Sequence, residues 1–330
     1  MLLFDLHLEN GDLDSAAATL AQLQSRLGGP FVAARVVALA ARRGDLAEAT
    51  KQLSWICAEP GQTSDWPIRS ALAVMARDGW APNGFAVIDS SMQAGKAAPE
   101  VAGIWVEQAR QHLNVVSLWR RMTKLPAPLR AAAHHGYLLG SAKGSLLTFL
   151  LFLAFFKKTL CEDDVTWGTV GYALYARGLT RRAARWLREY ERRSCEPWML
   201  VNLINALILL GRDAEVDRVI DAARRLPGGD REVKVLAWAG YRSALRGEAE
   251  SARQHLRSFA PSDPFSRFVC SVASTLTVDR FDEARAQLEE VARAVPPGTL
   301  AIKVYRGAVR EIARRFGASR WWRIAQWFRV

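Results

Sequence analysis

The chain has 330 residues, 50% of them apolar and 24% charged, with a net charge of +12. That length can bury a sizeable core, and that balance excludes a disordered or collagen-like chain. Alanine, leucine and arginine dominate. All three are good helix formers, so an all-α class is expected. The Ala/Arg bias fits a GC-rich bacterial genome. Charge is spread unevenly: residues 1–100 hold 8 Lys/Arg against 11 Asp/Glu, which leaves +15 for the remainder. Such asymmetry acts at long range on acidic partners, nucleic acid or anionic lipid.

The start, MLLFDLHLENGD, carries Asp5 inside a short apolar run with no basic lead, which does not read as a signal peptide. Met1 already falls within a first helix. A phrase then begins at Gly11, GDLDSAAATL, and returns at Gly44 as GDLAEATKQL. It recurs as GLTRRAARWL at Gly178, GRDAEVDRVI at Gly211, GEAESARQHL at Gly247 and DRFDEARAQL at Asp279. Five residues after each turn comes a small or branched side chain: Ala16, Ala49, Ala183, Val216, Ala252, Ala284. Nine after it comes an aliphatic one: Leu20, Leu53, Leu187, Ile220, Leu256, Leu288. Prolines follow at Pro30, Pro60, Pro197, Pro227, Pro264 and Pro296, where they are expected to stop the second helix of each pair. The spacing is 33 residues from Gly11 to Gly44, then 33, 36 and 32 from Gly178 to Asp279.

This pattern has a local physical reason. The turn residue ends one helix in a conformation that glycine tolerates. The next helix crosses closely at a small side chain and fills the following space with a large one. A lone pair of helices cannot bury its apolar faces, so neighbouring pairs must stack. Arg43-Gly44-Asp45, which has the form of a cell-adhesion ligand, is accordingly expected to be a turn.

Between Gly44 and Gly178 there is room for four units, with turns expected near Gly79, around His112 and at Gly144. The run Leu146–Phe156 is apolar apart from Thr148 and too short to span a membrane, which takes about 20 residues. It is expected to be a central helix buried on all sides, with a docking surface for a partner or a second copy as the alternative and a share in holding a bilayer under a membrane reading. Glu162, Asp163 and Asp164 are expected to open the helix that contains Trp167. Arg181, Arg185, Arg188 and Arg192 are spaced to form one helix face, read as solvated. The end, RWWRIAQWFRV, puts Trp321, Ile324, Ala325 and Phe328 on one stripe flanked by Trp322 and Trp327, with Arg320 and Arg323 further round. It is expected to cap the last open face. An Arg- and Trp-rich interfacial membrane helix is the alternative.

The recurring phrase resembles the tetratricopeptide repeat family, with its W-x2-L-G-x2-Y, A-x3-F and P signature. The best copy, WGTVGYALYARGLTRRAARWL, supplies Trp167, Gly171 and Ala183, with Val170, Leu174 and Leu187 replacing the usual Leu, Tyr and Phe. The resemblance implies a right-handed α-solenoid of about nine to ten helix-turn-helix repeats over residues 1–318, divergent over 80–165. Residues 319–330 would form the terminal capping helix. It also implies a concave surface, lined by the first helix of each pair, that binds peptides. Counting back from the turn glycines places Tyr172 and Tyr175, then Trp198, Asn202 and Asn205, then Lys234, Trp238 and Tyr241 on it. Asn202 and Lys234 match the family's clamp for a C-terminal carboxylate. Gly168, Tyr172 and Trp238 stand where its first lysine, first asparagine and arginine belong, which argues against such a clamp.

No catalytic motif appears. Adjacent His134 and His135 diverge by about 100° on a helix and cannot share a metal. GSAKGS at Gly140 lacks the order of a phosphate loop. Cys57, Cys161, Cys195 and Cys270 form no CxxC pair, which argues against zinc or disulfides and for a reducing compartment. The expected function is therefore a non-catalytic interaction scaffold that needs no cofactor. Its partner would be a protein or peptide, an acidic one suiting the basic half. Nucleic acid is disfavoured, since no aromatic stacking platform accompanies the arginine row. The expected location is cytoplasmic, or the inner face of a membrane if the terminal helix acts as an anchor.

Overall fold

A computed structural model describes residues 2–59, 64–141, 144–257 and 260–327. The described residues form 21 α-helices and no strand. The chain divides into two compact units, Met1–Thr166 and Trp167–Val330.

The first unit contains α1 (Leu2–Glu9), α2 (Leu13–Gln24), α3 (Pro30–Arg43), α4 (Leu46–Ala58), α5 (Trp66–Arg77) and α6 (Ala81–Gln93). These are followed by α7 (Val101–His112), α8 (Val115–Lys124), α9 (Ala127–Gly140), α10 (Leu146–Phe155) and α11 (Lys157–Leu160). α12 (Asp164–Ala176) runs across the boundary. The second unit continues with α13 (Thr180–Leu187), α14 (Pro197–Leu210), α15 (Asp213–Arg225), α16 (Val233–Leu245) and α17 (Ala249–Arg257). It ends with α18 (Pro264–Leu276), α19 (Phe281–Arg293), α20 (Thr299–Phe316) and α21 (Arg320–Trp327).

Helices pack on the next in sequence and on the next but one: α3 on α4 and α5, α16 on α17 and α18. α7 and α9 approach so closely that a Cβ on Gly136 would lie 2.9 Å from the Gly103 Cα. The residues five after each expected turn, from Ala16 to Ala284, are all fully buried, at 0% exposure. The aliphatics nine after it are buried too, except Leu256, which is half-buried and lies over Gly240. Gly44 shows the turn chemistry. Its φ of +78° is left-handed, where only glycine is at ease, and the Asp45 carboxylate accepts from the Glu48 N–H at 3.0 Å to cap α4. Arg43-Gly44-Asp45 is a turn between α3 and α4.

The prolines depart from expectation. Pro30, Pro197 and Pro264 are the first residues of α3, α14 and α18, so they start helices rather than stop them. A helix's first residue needs no N–H partner and already has the proline φ. Pro227 and Pro296 do follow the ends of α15 and α19; Pro60 lies outside the described residues. Gly79 is left-handed, α7 ends at His112, and Gly144 lies in the turn between α9 and α10, its N–H donating to the Ser141 carbonyl at 3.0 Å.

The Leu146–Phe156 helix is not buried on all sides. Phe149, Phe152 and Phe156 face inward, the Phe152 ring stacked on Tyr137 at 4.1 Å. Leu146, Leu147, Leu151 and Phe155 are exposed at 47, 67, 52 and 61%. One face seats on α9 and α8, and among the described residues nothing covers the other.

Neighbour-only stacking also fails at one place in the second unit. α20 packs on α18 and reaches back to α14, where Lys303 Nζ donates to the Leu209 carbonyl at 2.8 Å. It thus covers the C-terminal ends of first helices far earlier in the chain. α21 leans on this end differently from the expected stripe. Gln326 faces inward and accepts from the Tyr305 hydroxyl at 3.0 Å, and Trp322 packs on Phe281. Trp321 is 79% exposed and Ala325 is exposed as well. Phe328 lies outside the described residues. The inward face of α21 is set by its docking onto α19 and α20, not by which stripe is most apolar.

Candidate functional site

The C-terminal half of α12 and the N-terminal halves of α14, α16 and α18 leave a groove of about 360 Å³ between them. Tyr172, Tyr175, Trp198, Asn202, Asn205, Lys234 and Trp238 all line it. Trp198 with Lys234, and Asn202 with Trp238, hold matched positions in α14 and α16, whereas Tyr172 and Tyr175 come from the last turns of α12.

Their roles differ. Tyr172 is 41% exposed and Lys234 is exposed, and both project from the rim. Trp198 is half-buried, its Nε1 donating to Glu196 Oε2 at 2.9 Å just ahead of α14. Asn202 is buried, and its Nδ2 donates to the Trp198 carbonyl at 3.0 Å. Asn205 Oδ1 accepts from Trp238 Nε1 at 2.9 Å across the two helices. Trp238 is 1% exposed and serves as the groove's floor. The asparagines are thereby oriented side by side on one turn of α14.

Tyr241 is not part of the groove. It is fully buried, and its hydroxyl donates to the Val304 carbonyl at 3.3 Å. Burial pushes its phenol well above the usual range. The reason is α20, which covers the C-terminal ends of the first helices. Gly168 also explains why no clamp lysine stands there: a Cβ would meet Met199 Cγ at 2.6 Å.

Residue counting missed Glu232, Asp263, Phe265 and Ser266, which complete the walls. The same count back from Asp279 reaches Ser266. Ser266 itself is buried and lines this groove. Asp263 caps α18 by accepting from the Ser266 N–H at 2.9 Å. Burial pushes its carboxyl up, but the Ser266 hydrogen bonds and the charge of Lys234 outweigh this and hold it below the usual carboxylate range.

A second concavity, of about 570 Å³, lies between α13 and α15. It is lined by Arg181, Arg185, Arg188, Arg212 and Arg218, with Leu203, Leu207 and Leu210 beneath. The expected arginine row thus borders a cleft. It stops at Arg188, because α13 ends at Leu187 and Arg192 sits in a separate 3-10 turn.

Asp163 accepts from the Thr166 N–H at 2.6 Å and opens α12 as expected. Among the described residues no cluster of three His, Cys, Asp or Glu side chains could hold a metal, and no helix is long and apolar enough to cross a membrane. The four cysteines are unbridged, and burial pushes the Cys57 thiol up to about 12. Comparison with protein-family models yields no match for this chain, and no curated protein matches it either.

Proposed function

We propose that the chain is an α-solenoid of tetratricopeptide-like helical pairs, right-handed as that resemblance implies, and that it acts as a non-catalytic scaffold. The groove of the second unit would hold an extended peptide segment of a protein partner. The observation that carries this is the groove's composition: its walls come only from first helices and the residues just ahead of them. Aromatic rings at the rim and floor, with oriented asparagines on one wall, suit a peptide, because the rings bury apolar side chains and the amides pair with backbone groups. A surface preformed by stacking loses little entropy on binding. Glu232 and Asp263 stand against Lys234 there, so the guest we expect is apolar with a neutral or basic flank.

Selection from a displayed random peptide library, followed by fluorescence anisotropy, tests this. A selected peptide should lose about tenfold or more in affinity against Trp198→Ala or Tyr172→Ala, as groove contacts of this kind do. Peptides that bind those variants as well as the unaltered chain would place the contact elsewhere.

A further inference from the structure

The exposed face of α10 is an apolar feature that the groove does not account for. Leu147, Leu151 and Phe155 follow one another at intervals of four residues, so they form one stripe, and each is more than half exposed. Trp119 of α8 stacks on Phe155 at 5.8 Å and joins α8 to that face. Val115 and Val116, four and three residues before Trp119, are 43 and 63% exposed. Side chains of this size left in water cost free energy unless something covers them.

The charge around this face says what the cover is. Residues 101–161 contain eight Lys or Arg and a single acid, Glu107, which is held by Arg69 at 2.7 Å; Glu162, Asp163 and Asp164 follow, Glu162 lying 3.9 Å from Arg130 and the Asp163 carboxylate capping α12. Arg120 and Lys124 lie on α8 beyond Val116, and Lys157 and Lys158 follow α10 directly. All four are exposed, and among the described residues none has a carboxylate partner. α10 itself has 10 residues, about 15 Å, so it can lie in an interface but not cross a bilayer.

From these observations we propose that the α8–α10 face docks on an anionic lipid surface. Leu147, Leu151, Phe155 and the α8 valines enter the boundary between headgroups and acyl chains, and the four basic side chains meet the phosphates around them. A bilayer requires only an apolar face with a cationic rim, and this face offers little else: Thr148 is the sole polar side chain within α10. This docking is independent of the peptide groove and of α21.

Flotation of the full chain tests it, with vesicles of pure phosphatidylcholine and vesicles containing about a third phosphatidylglycerol. The unaltered chain should float with the anionic vesicles and fall away as salt rises. The triple variant Leu147→Gln/Leu151→Gln/Phe155→Gln changes only exposed positions, and circular dichroism checks that it stays helical. Its recovery should drop roughly tenfold or more, and Lys157→Gln/Lys158→Gln should weaken binding to a smaller degree. Trp321→Ala/Trp327→Ala should float like the unaltered chain. The proposal is overturned if the triple variant floats equally well, or if the tryptophan variant alone loses binding. It is also overturned if the unaltered chain floats with neither vesicle; dimerisation that the triple variant abolishes would then make a second copy the occupant.

Discussion

Gly171 sits under the Leu187 side chain so closely that an added Cβ would fall inside contact distance of its methyl groups. It is a helical glycine whose reason is packing, not a turn. Gly171→Ala should therefore destabilise the second unit by about 1–3 kcal/mol, the usual cost of forcing an extra methyl into a packed contact. Urea unfolding followed by circular dichroism measures it, and a change below about 0.5 kcal/mol, typical of surface sites, would refute the close contact. Gly171 and Leu187 are both visible in the best copy of the repeated phrase, so this pairing was legible from sequence. Tyr241 was not. Its position in the phrase is that of a groove residue, and only the distant α20 turns it into core.

At the scale of elements, α9 and α10 are joined by aromatic contacts around His134. The imidazole is buried against Phe152 and Phe156, the latter at 4.6 Å, and its Nε2 has no partner. Burial, with the nearby Arg130 charge, lowers its pKa to about 4. The folded state therefore resists protonation that the unfolded chain accepts near the ordinary value of 6.5. Stability from this group is complete above that value and drains away as pH falls towards about 4, by up to roughly 3 kcal/mol. Thermal melts across that window should show the loss, and His134→Leu should flatten it. A variant with the same slope would show that other groups set the acid response. The neighbouring α10 shows where pattern reading stops. An all-apolar helix and a helix buried on all sides have the same composition, and only the number of neighbours tells them apart. Phe152 found Tyr137, whereas Leu147 and Leu151 found nothing.

For the whole molecule, the division at Thr166 and Trp167 predicts that residues 167–330, expressed alone, retain helical circular dichroism and unfold in one cooperative transition. A gradual, non-cooperative melt would mean that this unit cannot bury its core by itself. Its internal closure supports the expectation. α20 is an 18-residue helix whose Leu300, Val304, Tyr305, Val309 and Ile312 are all buried. It ties to α14 through Lys303 and to α16 through Tyr241.

The amino-acid sequence by itself determined the helices, the turn at Arg43-Gly44-Asp45, the alternation of small and large buried residues, and seven of the side chains that line the groove. These follow from interactions within a few residues or between adjacent pairs, which a repeating pattern records directly. The tertiary structure alone decided which first-helix side chains stay open to the groove, which face of α10 and of α21 is left to solvent, and that the arginine row borders a cleft. The first depends on α20 meeting α14 and α16 far back in the chain, and the others on which helices are present to pack against each face. Contacts over such distances leave no periodic trace, because each is made once.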